Sequence, residues 1–168
     1  MRRVLSLLAV PLALVSASAV RADDKAEINA LYAKATAAVK ARDAKAIQSL
    51  ETPDFVEVLG STKLNGAQTA EMMAQQFKVI KKFDTVRMSA DKIDVKGKTA
   101  VVTAGSSFTC SITGQDGKSH KMASKVVTKD TLTKTPKGWL FSKVESLSDS
   151  TTMDGKPFGA PSAGKAGK

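Results

Sequence analysis

Cysteine, histidine, tryptophan and tyrosine each occur once in this 168-residue chain, and aromatic residues make up only 5% of it. Each scarcity excludes something. Cys110 has no partner, so no internal disulfide can form. Its strand neighbours read as apolar, so it is expected to be a buried small hydrophobe. A catalytic thiol would need His120, the single histidine, which follows the turn Gly114-Gln115-Asp116-Gly117 and reads as the start of an exposed strand. One histidine and one cysteine also argue against zinc, whose sites combine several such ligands. No phosphate-cradling glycine loop, dinucleotide fingerprint or HExxH helix occurs, so neither cofactor nor metal is expected.

Arginine is scarce too. After Arg42 only Arg87 remains, and the excess charge is lysine spread along the chain. Nucleic-acid binding favours clustered arginine with stacking aromatics, so no nucleic-acid partner is expected. Lysines on alternate strand positions read as a solvated face.

The first 22 residues carry an address. Met1-Arg2-Arg3 supplies positive charge, 4–15 is an apolar run broken by Ser6 and Pro11, and small residues lead to Ala22. That order is a secretory signal peptide, with cuts after Ala22 or after Ala19 both open. The apolar run is too short to span a bilayer, so no stable membrane insertion is expected after cleavage. Removing Arg2, Arg3 and Arg21 lowers the net charge from +10 to about +7. The expectation is a periplasmic or secreted protein. It comprises a leader at 1–22, one domain at 23–150 and a disordered Gly/Ala/Pro/Lys-rich tail at 151–168.

Helical periodicity comes first in the domain. Over 24–42, Ile28, Leu31, Tyr32, Ala35 and Val39 form one stripe, with Asp24 and Glu27 as a capping box. Asp43 caps a short second helix through Leu50, stopped by Thr52-Pro53. A short strand is expected over 55–59. A third helix is expected over 66–81, capped by Asn65 with Gln68, and its stripe holds Met73, Phe77 and Ile80.

The period then changes to two. A strand region spans 86–95, and Lys96-Gly97-Lys98 turns the chain. Ala100, Val102, Ala104, Ser106, Phe108, Cys110 and Ile112 share one parity. Met122, Ser124, Val126, Thr128, Asp130 and Leu132 share another, with Lys121, Lys125 and Lys129 on the opposite side. Thr135-Pro136-Lys137-Gly138 turns into a closing strand over 139–147. Asp130 stands out, because an acid on an apolar face is costly unless paired, hydrogen-bonded or protonated.

Helices first and hairpin-linked strands later give an α+β fold, ordered α-α-β-α-β-β-β-β. A strongly curved antiparallel sheet packed by three helices makes a cone with a pocket between its layers. Tyr32, Phe55, Met73, Phe77, Phe108, Val126 and Trp139 are the expected lining. Trp139 is either core or a cover for the mouth.

Several phrases carry a resemblance. They are Ala41-Arg42-Asp43-Ala44-Lys45-Ala46-Ile47, Asp54-Phe55-Val56-Glu57-Val58, Leu64-Asn65-Gly66 and Lys137-Gly138-Trp139-Leu140-Phe141. In this order the chain resembles the nuclear-transport-factor-two-like superfamily over residues 24–148. That superfamily includes ketosteroid isomerase, polyketide cyclases and exported bacterial domains. The fold implied is the curved cone. Function follows less directly, because the superfamily hosts enzymes, binding proteins and structural dimers.

Ketosteroid isomerase chemistry uses a carboxylate base, a tyrosine and a protonated carboxylic acid. The resemblance implies Glu57 as base by an ungapped count from Gly66, or Val58 with one gap. It implies Ala35 at the tyrosine position, with Tyr32 one turn earlier, and Asp130 as the protonated acid. The set is thus incomplete. Glu57 can instead be solvated, and Asp130 can pair with Lys129 or Lys143.

Three readings follow. The first is an exported domain that binds a small, partly apolar molecule. The second is an acid–base enzyme acting on a carbonyl compound through Glu57 or Asp130. The third is a homodimer through an open sheet face including Met88, Val102 and Phe141.

Overall fold

The computed structural model describes residues 22–114 and 116–158. The expected leader, up to residue 21, and the tail from 159 lie outside the described residues.

Among the described residues, three helices and seven strands follow one another. They are α1 (Ala22–Ala41), α2 (Ala44–Gln48), β1 (Glu51–Leu59), β2 (Thr62–Asn65), α3 (Gly66–Val79), β3 (Ile80–Lys96), β4 (Thr99–Thr113), β5 (Ser119–Thr135), β6 (Gly138–Met153) and β7 (Lys156–Pro157). One sheet runs β2-β1-β6-β5-β4-β3, with β7 paired to β6. The expected α+β architecture is present, a long curved sheet covered by helices and not closed on itself. Register shifts interrupt β3 against β4 at three places and β5 against β6 at two. Such bulges bend strands and increase twist, so they curve the sheet around its cover.

The sheet is not wholly antiparallel. β1 runs parallel to β6, pairing Val56 with Lys143 and Glu57 with Val144. β1 also begins earlier than residue 55. It passes through Pro53 at a register shift between Glu51 and Val56, where the missing proline N–H leaves no ladder partner wanting. The hairpin strand β2 is an addition to the expected order; it pairs Leu59 with Thr62 across the turn at Gly60, where φ is +61°. α3 ends at Val79, because Ile80 turns extended and pairs with Ile112.

The caps at Asp43 and Asn65 form as expected. Asp43 accepts from the Ala46 amide, and Asn65 and Gln68 make a reciprocal capping box. Asp24 does something else. α1 starts at Ala22, so Asp24 sits inside the first turn and is buried. Its Oδ1 accepts from Lys134 Nζ at 2.5 Å and from Trp139 Nε1 at 3.4 Å.

Two apolar clusters result. In the larger, Ile28, Leu31, Tyr32 and Ala35 of α1 pack on Phe55, Val102, Leu132, Trp139 and Phe141. The smaller gathers Ile80, Cys110 and Ile112 with Phe77, Phe83, Phe108, Met122 and Met153. Burying each large side chain contributes about 1.5–3 kcal/mol. Val102 and Phe141 belong to this core, and Met88 packs against it. They therefore do not form an open face for a second copy. The sheet's other side shows Val101, Val127 and Leu147.

The chain beyond 150 also departs from expectation. β6 continues to Met153, opposite Met122, and Phe158 N donates to Thr151 O. Residues 151–158 are thus ordered rather than a disordered tail. Ser148 to Thr152 offer little apolar surface, and backbone pairing carries the strand instead.

Candidate functional site

Tyr32 faces the sheet from the α1 stripe, its ring edge-on to Phe141 with centroids 5.4 Å apart. Its hydroxyl donates to Asp130 Oδ2 at 2.5 Å. Asp130 comes from the apolar face of β5 and is only 2% exposed. Neither Lys129 nor Lys143 pairs with it; Lys143 binds Glu145. Burial pushes the Asp130 carboxyl above the usual aspartate range, offset in part by the Tyr32 and Thr128 hydroxyls. Burial, and then the Asp130 charge, push the Tyr32 phenol upward, so it remains a donor. Asp130 Oδ1 is buried with no partner at hydrogen-bonding geometry.

This pair lines a cavity of about 410 Å³ between α1, α3, β1 and the sheet. Walls come from both apolar clusters: Phe55 and Phe141 from one, Phe77, Phe83 and Phe108 from the other. Of the expected residues, Tyr32, Phe55, Glu57, Met73, Phe77, Phe108, Val126 and Asp130 all line it. Trp139 does not. It is 3% exposed and turned toward Asp24, with Lys134 Nζ 5.6 Å from its ring centre. It shares a face with Phe141, but it lies too near the start of β6 to reach the cavity.

Glu57 is no solvated strand residue. It shares its side of β1 with Phe55, and its Oε2 accepts from Thr69 Oγ1 on α3 at 2.9 Å. Burial raises its carboxyl, and the Thr69 bond opposes that shift.

Glu51 escaped the sequence reading. It opens β1 and lines the same cavity, and its Oε2 is buried without a partner. Burial and then the charge of Glu57 push its carboxyl up to about 7. A carboxylate so placed titrates where acid–base chemistry at neutral pH operates.

His120 and Cys110 stand apart from one another's chemistry. His120 contacts Asp154 through Nδ1 at 2.7 Å and Asp116 through Nε2 at 3.1 Å. Cys110 is fully buried, and burial raises its thiol. Among the described residues, no group of three or more His, Cys, Asp or Glu side chains could hold a metal ion. No described helix is long and apolar enough to cross a membrane.

The SnoaL-like domain profile matches residues 20–145, most of the chain. The chain belongs to the SnoaL-like domain family. Solved structures place this SnoaL-like chain in the nuclear-transport-factor-two-like fold. A candidate scytalone dehydratase of Novosphingobium aromaticivorans superposes with a TM-score of 0.70 at 13% identity, covering 87% of this chain and 95% of that one. A candidate dehydratase of the same fold family from Streptomyces avermitilis gives 0.61 at 17% identity, over 82% and 98%. A ketosteroid isomerase-like protein of Erwinia carotovora atroseptica gives 0.58 at 19% identity, over 76% and 98%. At these identities the likeness is one of fold. Comparison with curated protein sequences gave no match.

Proposed function

We propose that this SnoaL-like domain binds a small, largely apolar molecule bearing an oxygen function, in the cavity between the helices and the sheet. The carrying observation is the Tyr32–Asp130 pair in a wall otherwise rich in methionine and phenylalanine. The cavity of about 410 Å³ falls within the range of roughly 300–1,000 Å³ common for small-molecule sites. A buried oxygen without a partner costs about 1–3 kcal/mol, and a ligand's polar group would relieve that cost. Sequences keep such local costs mainly at functional sites. The leader at the N-terminus supports export of the domain, which Edman sequencing of the protein recovered from the cell envelope or medium would test.

Calorimetry with 1-indanone and indane tests the binding reading. The two share a carbon skeleton, and only the first carries a carbonyl. The ketone should bind the protein more tightly, and Asp130→Asn should change that preference. If neither compound binds, the reading fails.

A second reading is supported by the enclosed carboxylates. Asp130 and Glu57 both have raised pKa values from burial, as acid–base groups require. Two of the similar structures are candidate dehydratases. Under this reading the cavity does acid–base chemistry on a carbonyl compound, with Tyr32 and Asp130 as the polar anchor.

A further inference from the structure

Glu51 sits in a notch left by a missing side chain. A Cβ added to Gly66, the first residue of α3, would lie 2.6 Å from Glu51 Oε2 and 3.8 Å from the Phe55 ring. Glycine at this position lets the helix start close over the carboxyl. Glu51 itself opens β1, where the register against β6 shifts before Val56.

We propose that Glu51 is the group that exchanges a proton with a carbonyl ligand in this cavity. The inference rests on the binding reading above and names its acting residue. It shifts the base role from Glu57, the residue the family resemblance implied, to its neighbour.

The geometry separates the two glutamates. Glu57 is engaged, since its Oε2 accepts from Thr69. Glu51 Oε2 accepts from nothing. Among the described residues, no ion pair joins either glutamate to a lysine or arginine. The other charged or titratable groups lining the cavity are Tyr32, Asp130, Asp149 and Arg87. Tyr32 and Asp130 are already bonded to each other. Asp130 keeps an open Oδ1 as well, but its Oδ2 holds the Tyr32 hydroxyl, which makes it the polar anchor; Glu51 is the carboxyl whose open oxygen lies in a notch of its own. Burial, and then the charge of Glu57, hold the proton on Glu51 to near neutrality.

The step needs no co-reactant. Ionised Glu51 takes a proton from the carbon beside the carbonyl, and the C–H bond breaks. Its electron pair moves through the adjacent carbon onto the carbonyl oxygen, giving an enolate. Return of a proton from Glu51 to carbon restores the ketone. In D₂O the proton on Glu51 exchanges with solvent, so the carbon gains deuterium.

Deuterium uptake by 1-indanone, followed by proton NMR across neutral pD, tests the assignment. The protein should accelerate uptake over buffer, with the rate rising through about pD 7. Glu51→Gln should cut that acceleration by about 100-fold or more, with indanone affinity from calorimetry little changed. Gly66→Ala retains the carboxyl but pushes its head from the notch, and should also slow uptake. Indanone that binds without acceleration, or with acceleration equal in Glu51→Gln, overturns the assignment while the binding reading stands. Indanone that does not bind overturns both.

Discussion

Tyr32 on the first helix and Asp130 on the fifth strand, 98 residues apart in sequence, share a buried hydrogen bond of 2.5 Å. The helix presents the phenol and the strand presents the acid, so the bond ties the cover of the cone to its wall. It also leaves Asp130 Oδ1 as an open polar atom in an apolar cavity.

Asp130→Asn keeps an acceptor for Tyr32 and removes the charge. Asp130 titrates higher in the folded state than its ordinary 3.8. A raised acid binds more protons folded than unfolded, so wild-type stability falls as pH rises from about 3.8 through the folded value. The melting temperature of Asp130→Asn relative to wild type should therefore be higher at pH 8 than at pH 4. An advantage that instead shrinks with rising pH would show that Asp130 is stabilised as a carboxylate.

Asp24 anchors the start of α1 through Lys134 and Trp139. Asp24→Ala should leave the indole N–H and a part-buried ammonium without that acceptor. The expected loss is about 1–3 kcal/mol in denaturant unfolding. Because Trp139 does not line the cavity, ligand affinity should change little. A loss of affinity without a loss of stability would contradict this placement.

His120 joins the β4–β5 turn to the β6–β7 turn through Asp116 and Asp154. Bonds to Asp154 and then Asp116 raise its pKa above 6.5, and both aspartates are lowered below 3.8. The histidine's contribution is complete below pH 6.5 and lost as pH rises through its higher folded value. The aspartates' contribution is complete above 3.8 and lost on acidification through their lower folded values. His120→Asn should thus lower the melting temperature most near pH 5 and least above pH 8. Equal effects at both pH values would remove the charge argument.

Cutting the chain after Asp149 should lower the melting temperature by several degrees. It would remove the pairs from Lys125–Ser150 to Met122–Met153, and Asp154 with them. Cutting after Phe158 keeps those pairs and Asp154, and serves as the reference. No difference between the two truncations would show that the paired end contributes nothing.

Periodicity made much of this legible. The α1 stripe brought Tyr32 inward, and strand alternation put Asp130 on the apolar side, where the two meet. Periodicity gives the face of an element and not the position along it. Trp139 shares its face with Phe141 yet faces Asp24, two residues short of the cavity wall. Glu51 was hidden differently. Thr52-Pro53 reads as a helix stop, which masks a strand that begins before the proline and bulges past it. Beyond residue 148 the apolar signal ends while backbone pairing continues, and composition does not register hydrogen bonds between polar strands.

The claim that the cavity is the binding site is tested most directly by methionine-methyl NMR. Met72, Met73 and Met88 line the cavity. Met122 and Met153 pack in the smaller cluster instead. On titration with 1-indanone, the methyl signals of Met72, Met73 and Met88 should shift together, with those of Met122 and Met153 nearly still. Shifts confined to Met122 and Met153, or none at saturating ligand, would contradict the account.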